Sequence, residues 1–444
     1  MMVRWARFAV ALLFCLGFGS ILAEAHEHDL PAAVVMDAFI KIDPDRAHLV
    51  VRVPLDLLRS LSFPVVNGDY DMTKVGPSVA TALHALTHDL TLSADDRKLV
   101  PLQATGHIVG LSDLSFEDFQ TAVAAIASSP ASDTRIGFEL GYLDAHFVYP
   151  ISSLRSVFAI QSKVAEDLKG EAKLAVRYLP LRGRSRAMTI ASGSEPVLLN
   201  PNWYQVADGF ALLGIKRLIS AIDDLLLLLC LVIPFREIKQ LVPIVVAFSA
   251  GEAVTFIGTA YSIAPAGAWF LPFIETGMAL SIFYLALENI IGANLRRRWI
   301  LAALSGLFFG FNFAAGYNEQ VQFSGSYPLV SFLSFNIGII IGQLMALCIF
   351  VPALALLFRG AMSGRMGVIV LSAIIAHTAW HWMIDRGEIL WQAPWPQLTG
   401  PGLMVLARWV IALGFAVGAA AFLSKWLDRR HPALIESNTV PGQY

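Results

Sequence analysis

From about residue 212 the chain falls into apolar blocks of bilayer-spanning length with short polar breaks between them. A spanning helix needs about 20 mostly apolar residues. On that criterion the pattern predicts seven spans, near 212–234, 241–262, 271–291, 299–317, 329–357, 367–384 and 403–424. Residues 26 to about 205 read differently. Ile136, Phe138, Leu140 and Tyr142 alternate with Gly137, Glu139 and Gly141, and Ala172, Leu174, Val176 and Tyr178 alternate with polar neighbours, the period-2 signature of half-buried strands. A helix is predicted from Ser115, where Ser115 and Asp118 resemble a capping box and Phe116, Phe119, Val123 and Ile126 share a face. A second helix is predicted after Pro77.

The first residues change the picture. Arg4 and Arg7 precede an apolar core from Phe8 to Leu22 and an A-x-A site at Ala23-Glu24-Ala25, which reads as a cleavable secretory signal, with an uncleaved anchor as the alternative. The expected organisation is a signal peptide (1–25), an exported domain (26–205), a transmembrane domain (206–428) and a cytoplasmic tail (429–444). The fold class is an α-helical polytopic membrane protein of about seven transmembrane helices preceded by an exported β-rich, sandwich-like domain. The 56% hydrophobic composition agrees with this class. A formal net charge of -2 gives no ground for a nucleic-acid partner. With the N-terminal domain outside, the inner loops and tail collect Arg236, Lys239, Arg296, Arg297, Arg298, Arg359, Arg365, Lys425, Arg429 and Arg430, while the outer loops carry only Arg386. That bias satisfies the positive-inside rule for a bacterial inner-membrane protein with a periplasmic domain and a cytoplasmic C-terminus. The exported region has no cysteine and therefore no disulfide.

Candidate chemistry lies inside the apolar blocks. A charge at the centre of a spanning helix costs about 2.5–3.5 kcal/mol on the insertion scale, so intramembrane ionisable groups mark ion or substrate routes by default. Asp223 and Asp224 fall within the first predicted span and Glu252 halfway along the second. Glu275 sits near the outer end of the third, with Glu288 and Asn289 near its inner end. Arg217 precedes Asp224 by seven residues and is expected on its face. Asn336 and Gln343, also seven apart, share a face of the fifth span, as a polar path or as helix–helix glue. His377, His381 and Asp385 recur every fourth residue and form a candidate metal stripe, or ordinary hydrogen-bonded histidines. Glu288 beside Arg296, Arg297 and Arg298 also suits an interfacial ion pair. Three G-x-x-x-G pairs, Gly306/Gly310, Gly338/Gly342 and Gly414/Gly418, predict close helix crossings. Cleavage after Ala25 would expose His26-Glu27-His28, whose amine, backbone nitrogens and His28 imidazole suit square-planar Cu(II) or Ni(II). The competing reading is a solvated tail.

The blocks AFSAGEAVTF (247–256), IETGMALSIFYLALENI (274–290), GLFFGFNFA (306–314), FNIGIIIGQL (335–344) and HTAWHWMIDRG (377–387) stand in one order that resembles the long form of the HupE/UreJ membrane proteins. The resemblance covers nearly the whole chain. It implies a polytopic fold and uptake of nickel, sometimes cobalt. It also implies site residues at Glu275, Glu288, Asn289, Asn336, Gln343, His377 and His381, which match the family pattern, and at Asp223. Elsewhere the chain departs from it. Arg217, Asp224, Glu252 and Phe309 stand where the family has histidines, and Ile340 where it has a glutamate. Carboxylates suit harder cations or protons, whereas imidazoles suit borderline transition metals. The expected function is a metal-cation permease of nickel/cobalt type or a relative with altered ion selectivity, its substrate a divalent metal ion (Ni, Co or Cu) or a proton. The alternative is a transport-incompetent sensor, assembly or regulatory partner in the lipid bilayer. No activated nucleophile argues for an enzyme.

Overall fold

The computed structural model describes residues 34–58, 61–128, 136–137, 140–168, 171–235, 238–260, 264–265, 267–292, 294, 297–360 and 364–394, with scattered positions from 400 to 414. The signal segment, His26 and His28, the last predicted span for the most part, and the tail lie outside the described residues. The described chain divides into two compact units, one holding residues 34–206 with 320–330 and the other 207–319 with the residues from 331 onward.

The first unit is a mixed β-sheet domain. Strands β1 (Val34–Ile42) and β2 (Arg46–Pro54) form an antiparallel pair, and a short hairpin follows, β3 (Val65–Val66) with β4 (Asp69–Tyr70). Helix α1 (Gly76–Asp89) starts with Pro77 in its first turn, where the missing N–H costs nothing, as the sequence predicts. Then come β5 (Leu90–Ala94), β6 (Arg97–Lys98), β7 (Gln103–Gly110), helix α2 (Phe119–Ala127), β8 (Gly141–Pro150), β9 (Phe158–Ser162), β10 (Ala172–Leu179), β11 (Arg186–Ala191) and β12 (Val197–Leu198). The larger sheet has the order β11-β10-β1-β2-β8-β7, with β1 and β10 parallel and the other pairs antiparallel. The smaller runs β12-β9-β5-β6. Ile40, Leu49, Phe147 and Leu174 of the larger sheet join Leu92, Phe158 and Ile160 of the smaller, with Leu86 of α1, in one apolar core. On the far face of the larger sheet, Phe39 and Val50 pack on Phe116, Ala122 and Ile126 around α2.

Two local expectations need correction. The alternation on β10 holds, with Ala172, Leu174, Val176 and Tyr178 buried. The alternation read at 136–142 does not continue into a strand. A turn closes from the Leu140 N–H to the Gly137 carbonyl at 3.1 Å, Leu140 is exposed, and β8 buries the odd positions Leu143, Ala145, Phe147 and Tyr149. Phe138 and Glu139 of the predicted alternation lie outside the described residues. Ser115 is not the N-cap of α2. It lies in a 3-10 turn (Ser115–Glu117), and Asp118 caps the helix by accepting from the Gln120 and Thr121 N–H groups at 2.8 and 3.0 Å.

Residues 320–330 belong to this β unit although they connect two long helices. The Gln322 side chain accepts from the Thr189 N–H at 2.8 Å, and Phe323 packs on the main core. On the larger sheet, Arg52 is held by Asp144 through two bonds of 2.7 Å and by the Asp113 carboxylate at 2.8 Å. His48 Nδ1 and His146 Nε2 are 3.0 Å apart, and Asp43 lies 3.4 Å from the other nitrogen of His48.

The helical unit begins with α3 (Trp203–Ser220) and α4 (Ile222–Val232). The first predicted span, 212–234, is therefore not one helix. Ala221 adopts an extended conformation (φ -90°, ψ 105°) and breaks it. Next are α5 (Ile238–Ala260), α6 (Phe270–Ile291), α7 (Arg298–Gln320), α8 (Pro328–Gly360) and α9 (Gly364–Gln392). Among the described residues five helices are long and apolar enough to cross a membrane, α5 to α9. Two of the predicted small-residue pairs sit at close crossings. A Cβ on Gly306 or Gly310 of α7 would collide with the Phe248 or Glu252 carbonyl of α5, and one on Gly338 of α8 would strike the Ala211 carbonyl of α3.

Burial, with His48 beside it, pushes the His146 imidazole down from the usual 6.5 to about 4. Between those limits the unfolded chain binds a proton that the folded domain refuses. The stability contribution is full above pH 6.5 and falls as the pH drops toward 4. Hydrogen exchange on β8 across that range should show the loss, and His146→Gln should flatten it.

Candidate functional site

The break at Ala221 sets the geometry of the candidate site. Residues 223 and 224 occupy the first turn of α4 rather than the middle of a span. Unpaired N–H groups and the helix dipole favour negative charge there, each by about 0.3–1 kcal/mol at exposed positions. Ala221 offers no side-chain cap. Asp223 Oδ1 accepts from the Asp224 N–H at 3.2 Å, and Asp223 Oδ2 faces Arg386 Nη2 of α9 at 3.5 Å. Asp224 is 1% exposed, and neither of its oxygens has a hydrogen-bond partner. Asp223, Arg217, Glu252 and Arg386 all lie within electrostatic reach of it.

Glu252 occupies the α5 face that crosses α7. Gly306 and Gly310 bring the α7 backbone against it, with Glu252 N 3.1 Å from the Cβ that Gly306 lacks. Glu252 Oε2 accepts from Gln343 Nε2 of α8 at 2.6 Å, and Gln343 Oε1 accepts from Ser249 Oγ at 2.9 Å. The Ser249 bond fixes which way the amide points, so its NH₂ group faces the carboxylate. Glu252 Oε1 remains buried without a partner. Phe248, one turn before Glu252, packs on Phe309 with ring centroids 5.8 Å apart, and both are buried.

A second polar group surrounds the C-terminal end of α4. In a continuing helix the Cys230 carbonyl would accept from the N–H of residue 234, but residue 234 is proline and has none. Asn289 Nδ2 and Arg298 Nη2 reach that carbonyl instead, at 3.0 and 2.6 Å. Arg298 Nη1 also bonds Glu288 Oε2 at 2.5 Å. Arg298 is fully buried, so this is a buried ion pair tied to a helix end. Removing one partner of such a pair costs about 3–5 kcal/mol.

The remaining predicted residues separate from these groups. Asn336 donates to the Phe332 carbonyl of its own helix at 2.8 Å, whereas Gln343 reaches across to α5. Their common face does not give them a common role. Arg217 lies over the Phe313 ring at 5.9 Å, and because α3 ends before Asp224, no single helix face joins the two. The Glu275 carbonyl accepts from Arg386 Nη1 at 3.4 Å. His377, His381 and Asp385 do form one stripe of α9, and the two rings meet edge-on at 4.7 Å. All three are exposed. Arg386, nine residues after His377, projects from about the opposite side of the helix. No group of three or more His, Cys, Asp or Glu side chains poised to hold a metal occurs among the described residues. Sequence reasoning missed Ser249 and placed Arg386 in an outer loop. Counting α9 to Gln392 would have put it on a helix, but nothing local signals its partner.

Residues 194–386 match the profile of the family described as HupE / UreJ protein. No curated protein sequence matches the chain.

Gln343→Leu would leave Glu252 with neither oxygen bonded and free Ser249 from its partner. A stranded buried polar group costs about 1–3 kcal/mol. A clear fall in melting temperature in detergent is expected, with Asn336→Leu changing it much less.

Proposed function

We propose, on the premise that residues 194–386 are a HupE/UreJ family domain, that this multi-pass membrane protein is a cation permease of nickel/cobalt type whose selectivity has moved toward harder cations. HupE/UreJ is a transporter family rather than an enzyme family. The observation that carries the reading is the set of three buried carboxylate oxygens without partners, two on Asp224 and one on Glu252. Buried charges are ordinarily paired or coordinate a metal, because an isolated carboxylate in an apolar surround is strongly disfavoured. These oxygens supply negative charge and lone pairs to a passing cation.

Each neighbouring group then has a task. Gln343, oriented by Ser249, occupies one oxygen of Glu252 and leaves the other for the cation. Phe248 and Phe309 exclude water beside Glu252, which strengthens its field. Oxygen donors in place of imidazoles favour Mg, Ca or Mn type ions over nickel. The histidine stripe of α9 lies on an exposed face and is peripheral to this path. The charge bias of the loops supports a periplasmic N-terminal domain, a cytoplasmic C-terminus and residence in a bacterial inner membrane.

One observation favours a second reading, a transport-incompetent sensor or assembly partner. Asp223 is already paired with Arg386, and Glu288 with Arg298, as in a charge network that fixes packing. Uptake of Mn(II), Ni(II) and Co(II) into proteoliposomes separates the two. The permease reading expects uptake by the unaltered chain and a loss of more than about tenfold in Asp224→Asn and Glu252→Gln, with melting temperature little changed. If the unaltered chain moves no cation and both variants alter only stability, the second reading stands.

A further inference from the structure

Among the described residues, the arginine–carboxylate pairs are not equivalent. Arg52 grips Asp144 through two bonds of 2.7 Å, and Arg298, fully buried, meets Glu288 at 2.5 Å. Short and bidentate contacts of this kind hold fixed structure. Arg386 differs in every respect. Its contact with Asp223 is single and 3.5 Å long, its bond to the Glu275 carbonyl is 3.4 Å, and its plane lies over Trp382 at 5.4 Å. A guanidinium carries five N–H donors, and these two long contacts hold it weakly. Its side chain is 24% exposed, whereas Asp224, beside Asp223 in the chain, is buried with both oxygens unpartnered.

We propose that Arg386 is a tethered counter-ion at the entrance to the Asp223–Asp224 turn, which an arriving divalent cation displaces and which returns when the cation leaves. The proposal rests on the cation reading above and names the regulation of that same site. With the site empty, the guanidinium adds to the partial positive charge of the α4 N-terminus and faces Asp223. A divalent cation between Asp223 and Asp224 brings twice that charge at shorter range, so Arg386 loses the competition and keeps its stacking contact with Trp382. The arrangement sets a threshold: monovalent ions match but do not exceed the charge of Arg386, so the site discriminates by valence. The loose geometry is what such exchange requires, since a bidentate pair of the Arg52 type would hold the acids closed.

The test is equilibrium binding of Mn(II) to the detergent-solubilised full chain, read by the loss of the free-ion paramagnetic resonance signal. Arg386→Gln should bind about tenfold more tightly than the unaltered chain, the order expected for removing one competing charge from a partly shielded site. Arg386→Lys should stay near the unaltered value. Asp224→Asn should abolish binding in either background. Sodium should compete measurably only in Arg386→Gln. Unchanged affinity in Arg386→Gln, with Asp224→Asn still abolishing binding, overturns the counter-ion role and leaves the cation reading in place. Weaker binding in Arg386→Gln also overturns it, and a parallel fall in melting temperature would mark the arginine as structural. No binding in the unaltered chain and in Arg386→Gln alike overturns both.

Discussion

A polar group inside an apolar helical unit that its own helix leaves unmet, unlike Asn336 on the Phe332 carbonyl, must find its partner on another helix. That constraint orders most of what is distinctive here. The Cys230 carbonyl shows it most simply: Pro234 removes the N–H that would have met it, and Asn289 and Arg298 converge on the vacancy. Arg298 is then committed to the interior and needs an anion, which Glu288 supplies. One proline thus accounts for a buried ion pair ten residues long in sequence and for the polar end of two further helices. The same rule makes Gln343 bind Glu252 rather than its own helix, and makes Ser249 the group that orients it.

Close backbone approach sharpens the constraint at Glu252. Because Gly306 and Gly310 carry no side chain, α7 lies directly on α5 at the level of the acid. Little room remains for a long side chain to swing toward solvent, so Glu252 cannot relieve its burial by snorkelling. It must be met where it stands. Gln343 meets one oxygen only, and the other stays without a partner. At Asp224 the cause is different but the outcome alike. The chain breaks at Ala221, a residue with no capping side chain, and the acids that follow enter the first turn of α4. Helix-end dipoles favour them by amounts well below the cost of burying a bare carboxylate, so the turn remains electrostatically incomplete.

How much of this was legible in the sequence follows from the range of the interaction involved. Apolar blocks locate the five spanning helices among the described residues, since lipid selects on local composition, although α9 runs to Gln392, past the predicted end at 384. The β10 alternation and the Pro77 helix start are equally local, and both hold. The G-x-x-x-G pairs were readable as crossings, but their partners, Phe248, Glu252 and Ala211, were not. The break at Ala221 is missed because AIDDLLLLL contains neither glycine nor proline, and its paired acids, which suit a helix's first turn, read as charges within one span. Pairings across helices, such as Arg386 with Asp223 or Gln343 with Glu252, join residues 163 and 91 apart. No pattern within one helix specifies them. Asp118 reads as the capping-box partner of Ser115, whereas it is itself the cap of α2.

The departures from the HupE/UreJ pattern gain a physical connection from the fold. Phe309 and Glu252 both stand where the resemblance expects histidines, and in sequence they are unrelated. In the structure Phe309 packs edge-on against Phe248, which precedes Glu252 by one turn, and the adjacent Gly310 abuts the Glu252 backbone. An imidazole at 309 would need a hydrogen-bond partner in that buried layer, whereas a phenyl ring needs none and keeps the layer dry. A dry layer in turn strengthens the field of the unpartnered Glu252 oxygen. The two departures are therefore linked in space through Phe248 and Gly310. A carboxylate, bonded on one side by Gln343, thus stands where the resemblance expects an imidazole.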